Sequence, residues 1–185
     1  TPTVAFTSGG QAITNSVSVS GSNTSWTATY TVHASDTEGS VAISITATST
    51  AGTQASAHTT ITSGSVTMDK TNPAFSSISP SASSFITNTN VGYTLSENLS
   101  SGTVAYERTG GSSAGNVTVN LAGAELNSGV RSSAALTNAP TLVNNAIYTI
   151  KFNGVDLSGN VASELSVTGV TFNNVAPFGS QEKTL

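Results

Sequence analysis

Val41 to Thr53 reads VAISITATSTAGT, and Tyr148 to Asn160 reads YTIKFNGVDLSGN. Laid over each other, they place Ile43 on Ile150, Ile45 on Phe152 and Gly52 on Gly159. In both, apolar side chains occupy alternate positions: Val41, Ile43 and Ile45 in one, Tyr148, Ile150 and Phe152 in the other. Successive side chains of a strand point to opposite faces, so this period of two predicts a β-strand with one buried face. The glycine closing each stretch predicts a tight turn. A strand and turn written twice predicts a repeated module.

A second pair of stretches agrees. SGSVTMDKTNPAF (Ser63 to Phe75) returns in degraded form as VTGVTFNNVAPF (Val167 to Phe178). Val66 and Thr67 fall on Val170 and Thr171, Met68 on Phe172, Asp69 on Asn173, and Pro73 on Pro177. These read as the seams that end each module, Pro being tolerated where an edge strand begins. The first module carries a longer final loop, near Gln54 to Thr62.

Working outward, WTATYTV (Trp26 to Val32) puts Trp26, Ala28, Tyr30 and Val32 on one face and Thr27, Thr29 and Thr31 on the other. Val117, Val119 and Leu121 alternate likewise. No helical spacing is sustained. Gly9-Gly10, Glu38-Gly39, Gly110-Gly111 and Ser158-Gly159-Asn160 punctuate the strands at the intervals of a sandwich fold. The prediction is all-β, with two tandem β-sandwiches at residues 1–72 and 73–177. Residues 178–185 form a C-terminal extension or the start of a further module. Domain 1 is expected to lack N-terminal strands, the counterpart of NVGYTLSENLSSGTVAYERTG (Asn90 to Gly110), and Pro2 looks like a third seam. An open sheet edge of that kind is a site for β-strand addition.

Composition narrows the function. Only 8% of residues are charged, against about 25% in a typical soluble domain. Five Lys and Arg face nine Asp and Glu, which opposes binding to nucleic acid or to anionic membrane surfaces. No apolar run is long enough for a membrane-spanning helix. No signal-peptide pattern occurs, so a mature or excised segment is expected. A Thr- and Ser-rich β-protein without cysteine points to a bacterial surface or secreted protein.

SWTATYTVHASDTEGSVAISITATSTAGT followed by SGSVTMDKTNP resembles the bacterial immunoglobulin-like repeats of large surface adhesins and stalk proteins. YTLSENLSSGTVAY, IYTIKFNGVDLSGN and VTGVTFNN extend the resemblance through the second module. It implies tandem immunoglobulin-like β-sandwiches on the cell surface or outside the cell, serving as spacer, adhesive rod or filament subunit. The partners it implies are neighbouring Ig-like modules or subunits. Fold analogy leaves the ligand open.

Some members of that wider group bind calcium near domain junctions, and the matching positions are Asp69, Glu97, Asp156 and Asn160. Ca²⁺ takes six to eight oxygens from carboxylates, amides and carbonyls, which these side chains supply. The competing reading is an Asx turn from Asp156 to Asn160, with Gly159 at positive φ and Glu97 a solvated loop charge. Both stay open at this stage. In domain 1, Ser49 and Thr53 replace the Asp and Asn, and Asn173 replaces Asp69 at the second seam.

Other chemistry is weaker. His33 and His58 are the only histidines, and neither GxSxG nor HExxH occurs. His33 is expected at a solvent-facing strand end, with Asp36 and Glu38 shaping a turn. No enzyme is expected. Lys151 lies on the outward face of its strand, which opposes an intramolecular isopeptide bond. The sequons at Asn23, Asn98 and Asn116 fit chance in an Asn-, Ser- and Thr-rich chain. Trp26 and Tyr30 are expected in the core. A carbohydrate-binding accessory module of a secreted enzyme is the alternative, and it would need such aromatics exposed.

Overall fold

The computed structural model describes residues 1–49, 51–60 and 63–174. Pro177, expected at the second seam, and the extension 178–185 lie outside the described residues. The chain divides into two compact units, residues 1–70 and 71–185. The described residues form β-strands, connecting loops and a single 3-10 turn, so the protein is all-β.

The second unit contains β7 (Phe75–Ser79), β8 (Phe85–Ile86), β9 (Val91–Leu95), β10 (Leu99–Gly111), β11 (Val117–Asn120), β12 (Gly129–Ala134), β13 (Ala146–Asp156) and β14 (Leu165–Phe172). One sheet runs β11-β10-β13-β14-β8, the other β12-β9-β7. Along β13 every second residue is buried, as the alternation predicts, with Tyr148, Ile150 and Phe152 at 1% exposure or less. Phe75 and Tyr93 of the smaller sheet lean on Phe152 of the larger, ring centroids 5.8 and 5.9 Å away. Val104, Tyr106 and Val170 complete a core drawn from both sheets. A Cβ on Gly154 would lie 2.6 Å from Leu99 Cδ1, so only glycine lets Leu99 pack there.

The first unit contains β1 (Thr3–Ser8), β2 (Gln11–Ala12), β3 (Ser18–Ser22), β4 (Ser25–Thr29), β5 (Gly39–Thr46) and β6 (Thr67–Met68). Its larger sheet runs β2-β1-β5-β6, and β3 and β4 form a separate hairpin. β1 pairs with β5 so that Val4 faces Ile45 and Phe6 faces Ile43. β10 pairs with β13 so that Val104 faces Phe152 and Tyr106 faces Ile150. TVAF at Thr3 to Phe6 is thus the counterpart of TVAY at Thr103 to Tyr106. This corrects the expected gap: the end of that segment is present as β1, and among the described residues β7, β8, β9 and the start of β10 have no counterpart. Pro2 accordingly precedes a central strand and marks no seam like Pro73.

The repeat also holds beyond the strands. Thr48 bridges Gln54 in the first unit as Val155 bridges Val161 in the second. Ser49 N–H donates to the Thr53 carbonyl at 2.9 Å, and Asp156 N–H to the Asn160 carbonyl at 3.0 Å.

Burial separates the two copies. Val4, Phe6, Val41, Ile43 and Ile45 are only half-buried. Trp26, expected in the core, is 36% exposed, and Val32 is 48% exposed. The physical reason is a thinner opposite layer: among the described residues the face of the β1–β5 sheet meets only the two-stranded β3–β4 hairpin, which pairs with no other strand, where the second unit has the three-stranded β12-β9-β7 sheet.

Candidate functional site

The carboxylates give the most structured polar sites. Asp156 ends β13 and is 1% exposed. Its Oδ1 accepts the N–H of Ser158 at 2.7 Å and of Asn160 at 2.8 Å, and its Oδ2 accepts the Asn160 side-chain amide at 2.8 Å. Gly159 within the turn has φ of 95°. Burial opposes the charge, but donation from the Asn160 side chain and from the Asn160, Ser158 and Gly159 amides outweighs it, holding the carboxyl below its usual range. The Asx turn read from DLSGN is therefore present. In the first unit the same turn is closed by a hydroxyl: Thr53 N–H donates to Ser49 Oγ at 3.2 Å.

Glu97 lies in the loop between β9 and β10, half-buried. The pairing of Leu99 with Asp156 brings that loop to the end of β13. Glu97 and Asp156 come within 4.8 Å, carboxylate oxygen to carboxylate oxygen. Two close carboxylates with the Asn160 amide oxygen nearby in sequence are of the donor type a hard cation takes. A carboxylate has about four acceptor positions, and the turn already occupies those of Asp156, so the fit is better at Glu97 than at Asp156. Asp69 is half-buried in the first unit, directly after β6. Its neighbour Lys70 donates its N–H to the Glu38 carboxylate at 2.7 Å and its Nζ to the Ala34 carbonyl at 2.8 Å.

Two further acids were not read as buried sites from the sequence. Asp36, expected in a turn, is 4% exposed and accepts the Thr14 and His33 N–H groups at 2.9 and 2.7 Å and the Tyr30 hydroxyl. Burial works against its charge, yet these donors hold it far below the ordinary carboxylate range. Glu125 sits in a 3-10 turn (Gly123–Leu126) at 3% exposure. It accepts from Ala122 N–H at 2.8 Å and Thr137 N–H at 2.6 Å, and Arg131 lies 3.4 Å away. Burial again disfavours the charge, and the Thr137 and Ala122 donors with Arg131 lower its pKa overall. The spacing of Ala122 and Glu125 was a capping-box signal, lost because Ala122 has no hydroxyl.

The remaining candidates are dispersed. His33 is exposed, its Nδ1 2.7 Å from Ser35 Oγ, and His58 pairs by backbone with Ile45. Lys151 lies on the outward face of β13, 2.9 Å from Glu107 and 3.5 Å from Glu164; the Glu107 hydrogen bond leads the causes that raise its pKa. Asn98 and Asn116 each accept a backbone N–H, from Ser128 and Arg108.

An apolar cleft of about 390 Å³ lies between the hairpin and the β1–β5 sheet of the first unit. Val4, Phe6, Trp26, Ile43 and Ile45 line it. Trp26 Nε1 donates to the Asn23 carbonyl at 3.0 Å, which fixes the indole at its rim. No helix among the described residues is long and apolar enough to cross a membrane. Compared with known proteins, the chain matches no family model and no curated sequence.

Proposed function

We propose that the chain is a non-catalytic structural or adhesive repeat segment of a bacterial surface protein or filament, acting outside the cell as spacer or assembling subunit. In this reading the units are tandem immunoglobulin-like β-sandwiches, and their partners are neighbouring modules or subunits. The observation that carries it is the repeat itself: both units hold the same strand pair in the same register, closed by the same turn. Each copy spends its sequence on that frame, and its buried acids serve as turn and loop staples. A module whose polar groups satisfy its own backbone is suited to bearing load and linking to the next.

Pulling the chain by its ends in a force spectrometer tests this. The second unit should rupture in one discrete event, releasing roughly 3.3–3.6 Å for each residue freed. Gradual extension without a force peak would reject the load-bearing reading.

Calcium belongs to the same proposal. Glu97 would lead in holding the ion with the Asn160 amide oxygen, and Asp156 would join by giving up one donor of its turn; Asp69 belongs to the first unit and is a separate candidate. The ion would neutralise the close pair of carboxylates and stiffen that end of the second unit.

The alternative, a carbohydrate-binding module, is favoured by one observation, the partial exposure of Trp26. Quenching of Trp26 fluorescence by glycans would support it.

A further inference from the structure

We infer that the open face of the first unit is covered in its working state by a strand pair of the Phe75–Leu95 type, supplied by a neighbouring module and entering ahead of β1. The inference rests on the tandem-repeat reading and names the partner segment it requires.

The second unit shows what belongs there. Val104, Tyr106, Ile150 and Phe152 are fully buried at 0% exposure. Their register counterparts Val4, Phe6, Ile43 and Ile45 are half-buried and line the cleft. In the second unit β7 and β9 bring Phe75 and Tyr93 onto Phe152, the counterpart of Ile45, whereas among the described residues of the first unit only the β3–β4 hairpin lies over that face and leaves the cleft open. The matching occupant is therefore a two-stranded segment with large apolar side chains at alternate positions, as in VGYTL, where Val91, Tyr93 and Leu95 are buried.

Connectivity selects the source. In the second unit only Ser96, Glu97 and Asn98 separate β9 from β10, and β10 then continues past a register shift between Leu99 and Ser101 to Thr103, the counterpart of Thr3. A strand pair arriving on the N-terminal side of β1 can reuse this short connection. One arriving from a separate molecule would leave the Thr3 end of β1 without it.

Trp26 is the only tryptophan in the chain and lines the cleft, so it reports on cover directly. A copy of residues 73–102 is joined to Thr3, directly in one version and through a glycine-serine linker in a second. Expected in at least one version are a blue shift of Trp26 emission and a several-fold drop in acrylamide quenching. Unchanged quenching in both versions overturns the inference. Tyr93→Ser with Leu95→Ser in the grafted copy alone should abolish the protection; protection that survives them overturns the side-chain pattern. Equal protection by the free 73–102 peptide, or by raising the concentration of the ungrafted chain, overturns entry ahead of β1. Because the readout is local to Trp26, a chain that fails the pulling test can still pass this one.

Discussion

Ile45 stands in the first unit where Phe152 stands in the second: Ile45 faces Val4 across its strand pair, and Phe152 faces Val104. Phe152 is completely buried and touches rings from the opposite sheet, whereas Ile45 is half-buried at a cleft. Equivalent backbone positions therefore contribute unequally to stability. Phe152→Ala removes a packed ring and should cost the second unit about 3–5 kcal/mol. Ile45→Ala should cost the first unit well under half of that, because its side chain is already partly in water. Chemical denaturation, with Trp26 fluorescence following the first unit and near-ultraviolet tyrosine dichroism dominated by Tyr93, Tyr106 and Tyr148 of the second, measures both.

Acid should weaken the second unit at a definable place. The folded-state pKa values of Asp156 and Glu125 lie below their ordinary values. Each group therefore contributes stability that is present above the unfolded carboxylate range, about pH 4, and is lost as pH falls through the lower folded value. Glu125→Gln should flatten the acid limb of the stability curve. A variant with an unchanged limb would show that Glu125 contributes little charge stabilisation.

The alkaline side has the opposite sign. Burial pushes Tyr93 up to about 12 and raises Tyr106 further. Their contribution is intact below pH 10, the ordinary tyrosine value, and is lost as pH rises through the folded values. Ultraviolet titration should show these hydroxyls ionising later than those of an unfolded chain. Normal titration of all tyrosines would contradict the buried core.

The two turns can be exchanged. Ser49→Asp with Thr53→Asn writes the Asp156–Asn160 arrangement into the first unit and replaces a neutral acceptor with a charged one. Charge-assisted hydrogen bonds are the stronger kind, so the double variant should gain up to about 1 kcal/mol at neutral pH. The gain should vanish in acid. A neutral or destabilising result would mean that the two turns differ in backbone despite their shared bridge.

Calcium makes a separate prediction. Saturating Ca²⁺ at about a hundred times its dissociation constant should stabilise the second unit by about 2.7 kcal/mol relative to EDTA. Glu97→Gln should remove the effect. An identical melt in calcium and EDTA would leave Asp156 as a turn residue alone.

Much of this was legible in the sequence because it is local. Alternation at Tyr148, Ile150 and Phe152 predicts their inward face, and Gly159 in DLSGN predicts its turn. Trp26 departs from its expected burial because its alternation is real, while among the described residues the hairpin that carries it pairs with no further strand to shield it. The TVAF and TVAY match is hidden in the sequence because the loops between it and the stronger repeat differ in length. Glu125 carries no local sequence signal because its donor Thr137 and its partner Arg131 arrive from beyond the 3-10 turn.

Amide hydrogen exchange, resolved by residue, tests the central claim most directly: one module occurs twice, closed in the second unit and open in the first. The amides of Tyr148, Ile150 and Phe152 should exchange only through global unfolding of their unit, while those of Val41, Ile43 and Ile45 should exchange orders of magnitude faster. Comparable protection of the two sets would contradict the account.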